Sequence, residues 1–499
     1  MKTHIRNLSL LPVLIAGLGL ILAGQVAAQT FTTLYSFSNS ASDGVSPNAV
    51  ILSGNTLYGT AQDGGSGGVG TVFKLNTDGT GFTILHNFAW SPTDGAMPAA
   101  GLILSGNTLY GTAQYGGIAG SKNDGSGTVF KINTDGMGFT NVHRFAEPSG
   151  SGGIEGNGIN SDGAYPAAGL ILSGNILYGT TPFCGTNGSG TVFAVNTNGT
   201  GFTTLYSFTA TVGGVAAAGT YGTNSDGASP NAVILSGNTL YGTAQNGGSG
   251  GSGTVFKLNT DGTGFTNLHS FTALDPYYNT NSDGAGPNAV ILLGNTLYGT
   301  ALGGGLYDDG TVFAINTDGS GFSNLHILNG NYGGNYGFNP AFNPDGLLLS
   351  GNTLYGTARG GTNGNGTLFA VNTNGTGFTN MYNFTGGSDG GLPTAGLILS
   401  GNTLYGTTQA GGGTNAAGTV FSLTLGSASP PRPKLTTIHS GAKVILAWPT
   451  NSTGFSLQST TNLLPAAWST VSPAPVVVNT NNVVTNTISG TQRFYRLSQ

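Results

Sequence analysis

The segment SGNTLYGT at 53–60 recurs, with small changes, at six further places in this 499-residue chain. Its tyrosine stands at Tyr58, Tyr110, Tyr178, Tyr241, Tyr298, Tyr355 and Tyr405, at intervals of 50 to 68 residues. A self-similar unit of that length cannot bury its apolar face alone. It must stack on its neighbours, which restricts the chain to tandem-repeat architectures.

Each unit reads as four short strands. In the first copy they are NAVILS (48–53), TLYGTA after the Gly54-Asn55 pair, GTVFKLN (70–76), and GFTILHNF (81–88) after Asp78-Gly79. Gly-Asn and Asp-Gly between β-rich runs are tight-hairpin signals. No segment sustains a helical apolar period, so the chain is read as all-β. Four antiparallel strands in a repeated meander describe a β-propeller blade.

The third strand, GTVF or GTLF, occurs seven times, near 70, 127, 190, 253, 310, 366 and 418. After Phe421 no fourth strand follows, whereas FTTLYSF (31–37) is a fourth strand with no first strand before it. The expected fold is therefore a seven-bladed β-propeller over 29–425, closed by the N-terminal strand, which removes the exposed edges of a linear array.

Composition sets the remaining bounds. With 90 glycines and only 6% charged residues the chain is unusual, yet 38% hydrophobic and 9% aromatic content supports a packed core rather than disorder. Thirteen Lys and Arg against a net charge of −5 leave no basic stripe for phosphates, so nucleic acid is not an expected partner. Residues 1–28 carry Lys2 and Arg6, an apolar run from about Leu8 to Ala23, and small residues at Val26-Ala27-Ala28. This is the pattern of a secretory signal peptide, with no retained transmembrane segment expected. A single cysteine, Cys184, excludes an intrachain disulfide.

The run DGAMPAAGLILSGNTLYGTAQYGG, continued by GSGTVFKINTDG and FTNVHRF, resembles the GloVer (Gloeo/Verruco) tandem repeat of secreted bacterial proteins, over roughly 31–425. The resemblance implies export and a repeat scaffold, and brings no reaction with it. Beyond a linker at 426–433, residues 434–499 change character. KVILAWP, GFSLQST, PVVVNT and RFYRL read as strands of a small β-sandwich. It is similar to C-terminal modules of other secreted bacterial proteins.

The search for chemistry starts with Asp-Gly pairs at Asp43, Asp94, Asp162, Asp226, Asp283 and Asp389. Repeated carboxylates can bind calcium, but DGxxP is also a turn signature, and one Asp per blade does not converge oxygens on one point. His86, His143, His269 and His326 alternate with Tyr35, Tyr206 and Tyr382 at one position of the fourth strand, on blades too far apart to share a metal. No metal site and no cofactor is expected. Paired acids occur only at Asp308-Asp309, with Glu147 and Glu155 isolated. No nucleophile elbow, phosphate loop or zinc spacing is found.

Loop lengths are more informative. The first-to-second and third-to-fourth turns are constant, while the second-to-third and fourth-to-first connections vary. In a meander the two variable connections share a face, where a uniform scaffold places recognition. That face carries Trp90, Tyr115, Phe183, Tyr307, Tyr332 and Tyr336, with Asp308, Asp309 and Arg359 beside them, as the candidate ligand-binding residues. Tyr165, Tyr221, Tyr277 and Tyr278 are further aromatics of the same loops. Rings amid Asn, Gly and Ser suit stacking on sugars and equally suit protein contacts.

The expected function is a monomeric, secreted, non-catalytic protein that recognises an uncharged extracellular ligand, glycan or protein. The alternative is a protein–protein interaction or surface-structural role, and the third a polysaccharide-acting enzyme.

Overall fold

The computed structural model describes residues 29–498 apart from 41–42, 92, 118–124, 150–157, 214–221, 330–343, 362–363, 394, 414–415, 427–433, 451–454, 464–466, 479–480 and 488–491. Every regular element among them is a β-strand. The chain divides into a repeat unit, Phe31–Thr424, and a second unit that includes Leu425–Gln499. No helix of the described residues is long and apolar enough to cross a membrane.

The first blade shows how sequence becomes structure. Ile51–Ser53, Thr56–Asp63, Thr71–Asn76 and Thr83–Asn87 pair antiparallel in that order. Gly54 takes a φ of 58° at the first position of its two-residue turn, while Asn55 does not enter the left-handed region. Glycine is therefore the residue the turn requires, as in a hairpin of the II′ type. Within LYGT, a Cβ on Gly59 would lie 2.6 Å from Cζ of Phe73 on the neighbouring strand. The glycine leaves room for the aromatic ring of GTVF, a close approach any side chain would block.

Among the described residues of the repeat unit, six further sheets have four strands, while the first blade has a fifth, Val45–Pro47, which also pairs with Thr56–Asp63. The fourth strand begins two residues later than the sequence predicts, at Thr83 rather than Gly81, because Phe82 turns its ring onto the preceding sheet. The first strand is cut to Ile51–Ser53 in the first blade, but runs unbroken over Ala228–Ser236 and Ala285–Leu293 in blades four and five.

Three interactions bind each sheet to the next. The first is apolar: Tyr58, Val72 and Phe88 of blade one pack with Leu102, Leu109 and Phe130 of blade two. The second comes from the threonine of LYGT, which donates to a carbonyl in or just before the next blade's inner strand. Thr60 reaches Ala100 at 2.8 Å, Thr112 reaches Ala168 at 3.2 Å and Thr180 reaches Asn231 at 3.0 Å. The third is a stack between the outer-strand His or Tyr and a Phe of the next blade. His86 lies on Phe139 and His143 on Phe202, both at 3.7 Å. Tyr206 lies on Phe265, His269 on Phe322 and His326 on Phe378, at 4.0, 3.9 and 3.6 Å.

The same interactions close the ring. Thr30–Ser36 hydrogen-bonds along Thr419–Thr424 as the outer strand of the last sheet. Phe37 N–H donates to Gly418 O at 3.0 Å, reproducing the Phe88 to Gly70 bond of blade one, also 3.0 Å. Tyr382 stacks on Phe31 at 4.1 Å and Tyr35 on Phe82 at 3.9 Å. Thr407 donates to Asn48 O at 3.1 Å. Phe37, Val50, Leu57 and Phe73 share one core with Ala417 and Val420. The repeat unit is a β-propeller whose two ends complete one sheet, as the lone N-terminal strand predicts.

In the second unit, sheets of four and three strands pack face to face over Val444, Leu446, Trp448, Leu457 and Val484. This is the small sandwich expected from the sequence. The proposed linker at 426–433 lies almost wholly outside the described residues.

Removing residues 29–38 leaves Thr419–Thr424 as a bare edge and deletes both stacks at the junction. We predict a lower melting temperature and aggregation on size-exclusion chromatography. A truncated chain that melts and elutes like the intact one would contradict closure by the N-terminal strand.

Candidate functional site

The Asp-Gly aspartates are structural joints. Asp43 accepts from the Tyr35 hydroxyl at 3.2 Å, from Ser38 N–H at 2.7 Å and from Gly44 N–H at 2.9 Å. Asp94 meets His86 Nε2 at 3.1 Å and Ala89 N–H at 3.0 Å, and Asp162 meets His143 and Ala146 N–H, each at 3.1 Å. Asp226 pairs with Tyr206, Asp283 with His269 and Asp389 with Tyr382, at 2.8, 2.9 and 3.0 Å. Each carboxylate thus fastens the connection between two blades to the ring that stacks on the second. Each carboxylate is engaged within the protein through at least one oxygen, with Asp162 Oδ1 buried and unpartnered, and no cluster of three or more metal-ligating side chains occurs among the described residues.

These joints leave a mark on the titration of their members. Burial, and then the neighbouring carboxylate, raise the Tyr382 hydroxyl to about 12, which keeps it a donor. Burial pushes Asp283 up, but hydrogen bonds from His269 and Thr272 outweigh it, and its carboxyl titrates below the usual range. Burial holds His326 below the ordinary imidazole value.

The two faces of the ring differ as loop lengths predict. Thr77 N–H donates to Asn55 O at 2.9 Å, which puts the two constant turns side by side. On the other face the variable connections touch each other: Gly305 N–H donates to Asn281 Oδ1, and Gly248 N–H to Asn224 Oδ1, both at 2.8 Å.

On this variable face four rings form a row across blades one to three. Trp90 and Tyr115 lie 6.0 Å apart at 21°, Tyr115 and Tyr165 5.4 Å apart, and Tyr165 and Phe183 6.2 Å apart. Trp90 and Phe183 at the ends are 41% and 36% exposed. The row stands on backbone ladders: Tyr115 pairs with Ala96, and Phe183 bridges Ala164. Tyr165 is held by an unusual conformation, with φ at 60°. Ser46, Met97, Ser229 and Leu392 share that position and that region, at 54–56°, and Gly286 is its glycine. The turn aims the backbone N–H at the previous blade, Tyr165 onto Ser126 O at 2.8 Å and Met97 onto Val69 O at 2.7 Å. A non-glycine residue there costs about 1 kcal/mol, which the interblade bond offsets. The sequence signal for this was the single glycine at 286.

Tyr307, Asp308 and Asp309 belong to a different place, the second-to-third loop of blade five. Tyr307 is 50% exposed. Asp308 accepts from Gly304 N–H at 3.1 Å; burial and the adjacent Asp309 raise its carboxyl. Asp309 is itself buried. Arg359 is exposed on the corresponding loop of blade six. Tyr332, Tyr336, Tyr221 and Glu155 lie outside the described residues. The sequence-derived candidates therefore separate into a row on blades one to three and a cluster on blade five.

The inner strands line a central cavity of about 410 Å³, walled by small residues such as Ala49, Gly101, Ala168, Ala232 and Gly396. Its amides face the neighbouring blades: Asn48 donates to Pro98 O at 2.6 Å and Asn231 to Pro287 O at 2.8 Å.

A β-propeller with uniform joints and an aromatic row on its irregular face is the class this structure defines. The chain belongs to the Gloeobacter/Verrucomicrobia repeat family, whose signature matches residues 15–159, 157–278 and 272–453. No curated protein matches it. Among solved structures it is similar to the GH74 xyloglucanase from Xanthomonas campestris, at 12% identity and a TM-score of 0.51, over 84% of this chain and 59% of that one. It is also similar to a GH74 enzyme from Niastella koreensis, at 17% identity and a TM-score of 0.45, over 84% and 59%. An oligogalacturonate lyase from Vibrio parahaemolyticus matches at 9% identity and a TM-score of 0.46, over 80% and 98%. At these identities the xyloglucanase comparison speaks for the propeller fold alone.

His326 and Asp283 both titrate below their unfolded values, so the unfolded chain binds more protons and stability rises with pH. The His326 contribution is present above about pH 6.5 and lost as pH falls below it; that of Asp283 is lost only in the range below about pH 4. Melting temperatures measured between about pH 5 and about pH 8 are expected to show a smaller rise in a His326→Tyr variant, which carries the residue found at the equivalent position as Tyr35, Tyr206 and Tyr382. An identical slope in both proteins would refute this assignment.

Proposed function

We propose that this chain is an extracellular, non-catalytic glycan-binding protein that holds a neutral carbohydrate on the variable face of its propeller. One observation carries the reading: the row Trp90–Tyr115–Tyr165–Phe183, contributed by three blades and set on loops rich in Gly and small or polar residues. A sugar ring presents an apolar C–H face and a rim of hydroxyls. Rigid aromatic side chains supply contact area for the first at low entropic cost, and backbone or amide groups meet the second.

Charge supports an uncharged ligand. Asp94 and Asp162, on the same connections as Trp90 and Tyr165, are buried in the joints, and the chain has only 13 Lys and Arg in total. The signal-peptide pattern of residues 1–28 supports export.

The test is affinity electrophoresis of the purified protein in gels containing neutral or acidic polysaccharides. Retardation by a neutral polysaccharide is expected, and Trp90→Ala should weaken it by about tenfold or more, the effect of removing an exposed aromatic anchor. Trp90 lies at the surface, so its replacement is not expected to lower the melting temperature by more than a few degrees. A protein retarded by no neutral polysaccharide overturns the glycan reading. Release of reducing sugar from the gel polymer would replace it with the enzymatic alternative.

A further inference from the structure

Outside that row, a group of exposed rings lies on the connection from blade four to blade five and on the second-to-third loop of blade five. Tyr277 and Tyr278 are 79% and 55% exposed, Leu306 62% and Tyr307 50%. Large apolar side chains gathered so openly on one pair of loops mark a contact surface. The surface is also preorganised. Asp275 accepts from the backbone N–H of both Tyr277 and Tyr278 at 2.9 Å, and the ends of the same loop close through Asp275 N–H to Thr280 O at 2.8 Å. The two tyrosine rings stand 4.6 Å apart and nearly perpendicular, at 80°. One therefore offers its face where the other offers its edge.

The Tyr277 loop is tied to the loop that carries Tyr307. Gly305 N–H donates to Asn281 Oδ1 at 2.8 Å, Asn281 N–H donates to Gly305 O at 3.2 Å, and the Asn279 side chain hydrogen-bonds Asp308. Asn279 and Asp308 both hold left-handed backbone, at φ 54° and 59°, so the tie is made at a conformational cost. Three carboxylates, Asp275, Asp308 and Asp309, stand within these two loops. Their charge disfavours an anionic polymer and leaves a neutral sugar, whose hydroxyls can donate to the exposed Asp275, as the matching chemistry.

We infer that Tyr277, Tyr278 and Tyr307 form a second subsite for uncharged sugar, so that one propeller holds a polysaccharide at two separate places. The inference rests on the glycan reading of the Trp90 row, and adds the class of ligand: a polymer long enough to engage both, rather than a short oligosaccharide. Two linked contacts raise the apparent affinity through effective concentration, without any new contact at either one.

The experiment titrates the neutral polysaccharide that retards the wild type, and a short oligosaccharide cut from it, into four proteins: wild type, Trp90→Ala, a Tyr277→Ala/Tyr278→Ala/Tyr307→Ala triple variant, and the combination. All replaced side chains are exposed, and thermal melts report that each variant folds. The expected result is that polymer affinity falls about tenfold or more in either variant and is lost in the combination. Short oligosaccharide should bind the Trp90→Ala and triple variants at one remaining place each. A triple variant that binds polymer as tightly as the wild type overturns the second subsite and leaves the Trp90 row standing. A wild type that binds no neutral polysaccharide overturns both.

Discussion

The joint between consecutive blades is the constraint on which the rest of the molecule depends. One side chain, His or Tyr, stacks on a Phe of the next blade and hydrogen-bonds the Asp that opens it, as His143 does with Phe202 and Asp162. The same Asp caps the backbone N–H that follows the buried Phe of the outer strand, here Ala146 after Phe145. Direction, spacing and rotation of the next sheet are thereby fixed at one point. The apolar core supplies most of the driving force, since each interface buries a full set of Phe, Leu and Val. The polar joint makes that core specific, because misplacing a blade leaves a buried carboxylate without partners.

Repetition of this joint makes the opening segment a scaffold. In SGNTLYGT the first Gly makes a turn, the second makes room for a Phe, and the last Thr binds the following blade. None of these roles leaves a group directed at a ligand. With the inner strands lined by Ala and Gly and their amides bonded to neighbouring blades, chemistry is confined to the loops of one face. There the chain can vary length and place rings without disturbing the ladder beneath.

Much of the fold was legible in the sequence because its signals are local. Gly-Asn between apolar runs gives the hairpins, and a fourth strand before any first strand gives the closure. The joints were not legible as joints. His or Tyr and its Asp are separated by 7 residues at Tyr382–Asp389 and by 20 at Tyr206–Asp226, because loop insertions fall between them. Equivalent residues therefore do not show as an interacting pair until the blades are placed in space. The aromatic row was partly legible. Loop variability pointed to Trp90, Tyr115, Tyr165 and Phe183, but not to the left-handed turn that sets Tyr165 between the others, of which Gly286 is the trace in sequence. Asp308 and Asp309 read as an acid pair, and the structure instead gives Asp308 a role in tying two loops together.

The central claim is that the regular face and the regular motifs hold the ring, while the irregular face binds. Hydrogen–deuterium exchange of the full chain, with and without a saturating neutral polysaccharide, tests it most directly. The account predicts slowed exchange confined to the variable loops, around residues 89–97, 114–117, 160–166 and 182–185 and at the second subsite around 275–281 and 304–309, with the turns at Gly54-Asn55 and Asp78-Gly79 and their copies unchanged. Slowed exchange at those constant turns, with the variable loops unaffected, would contradict it.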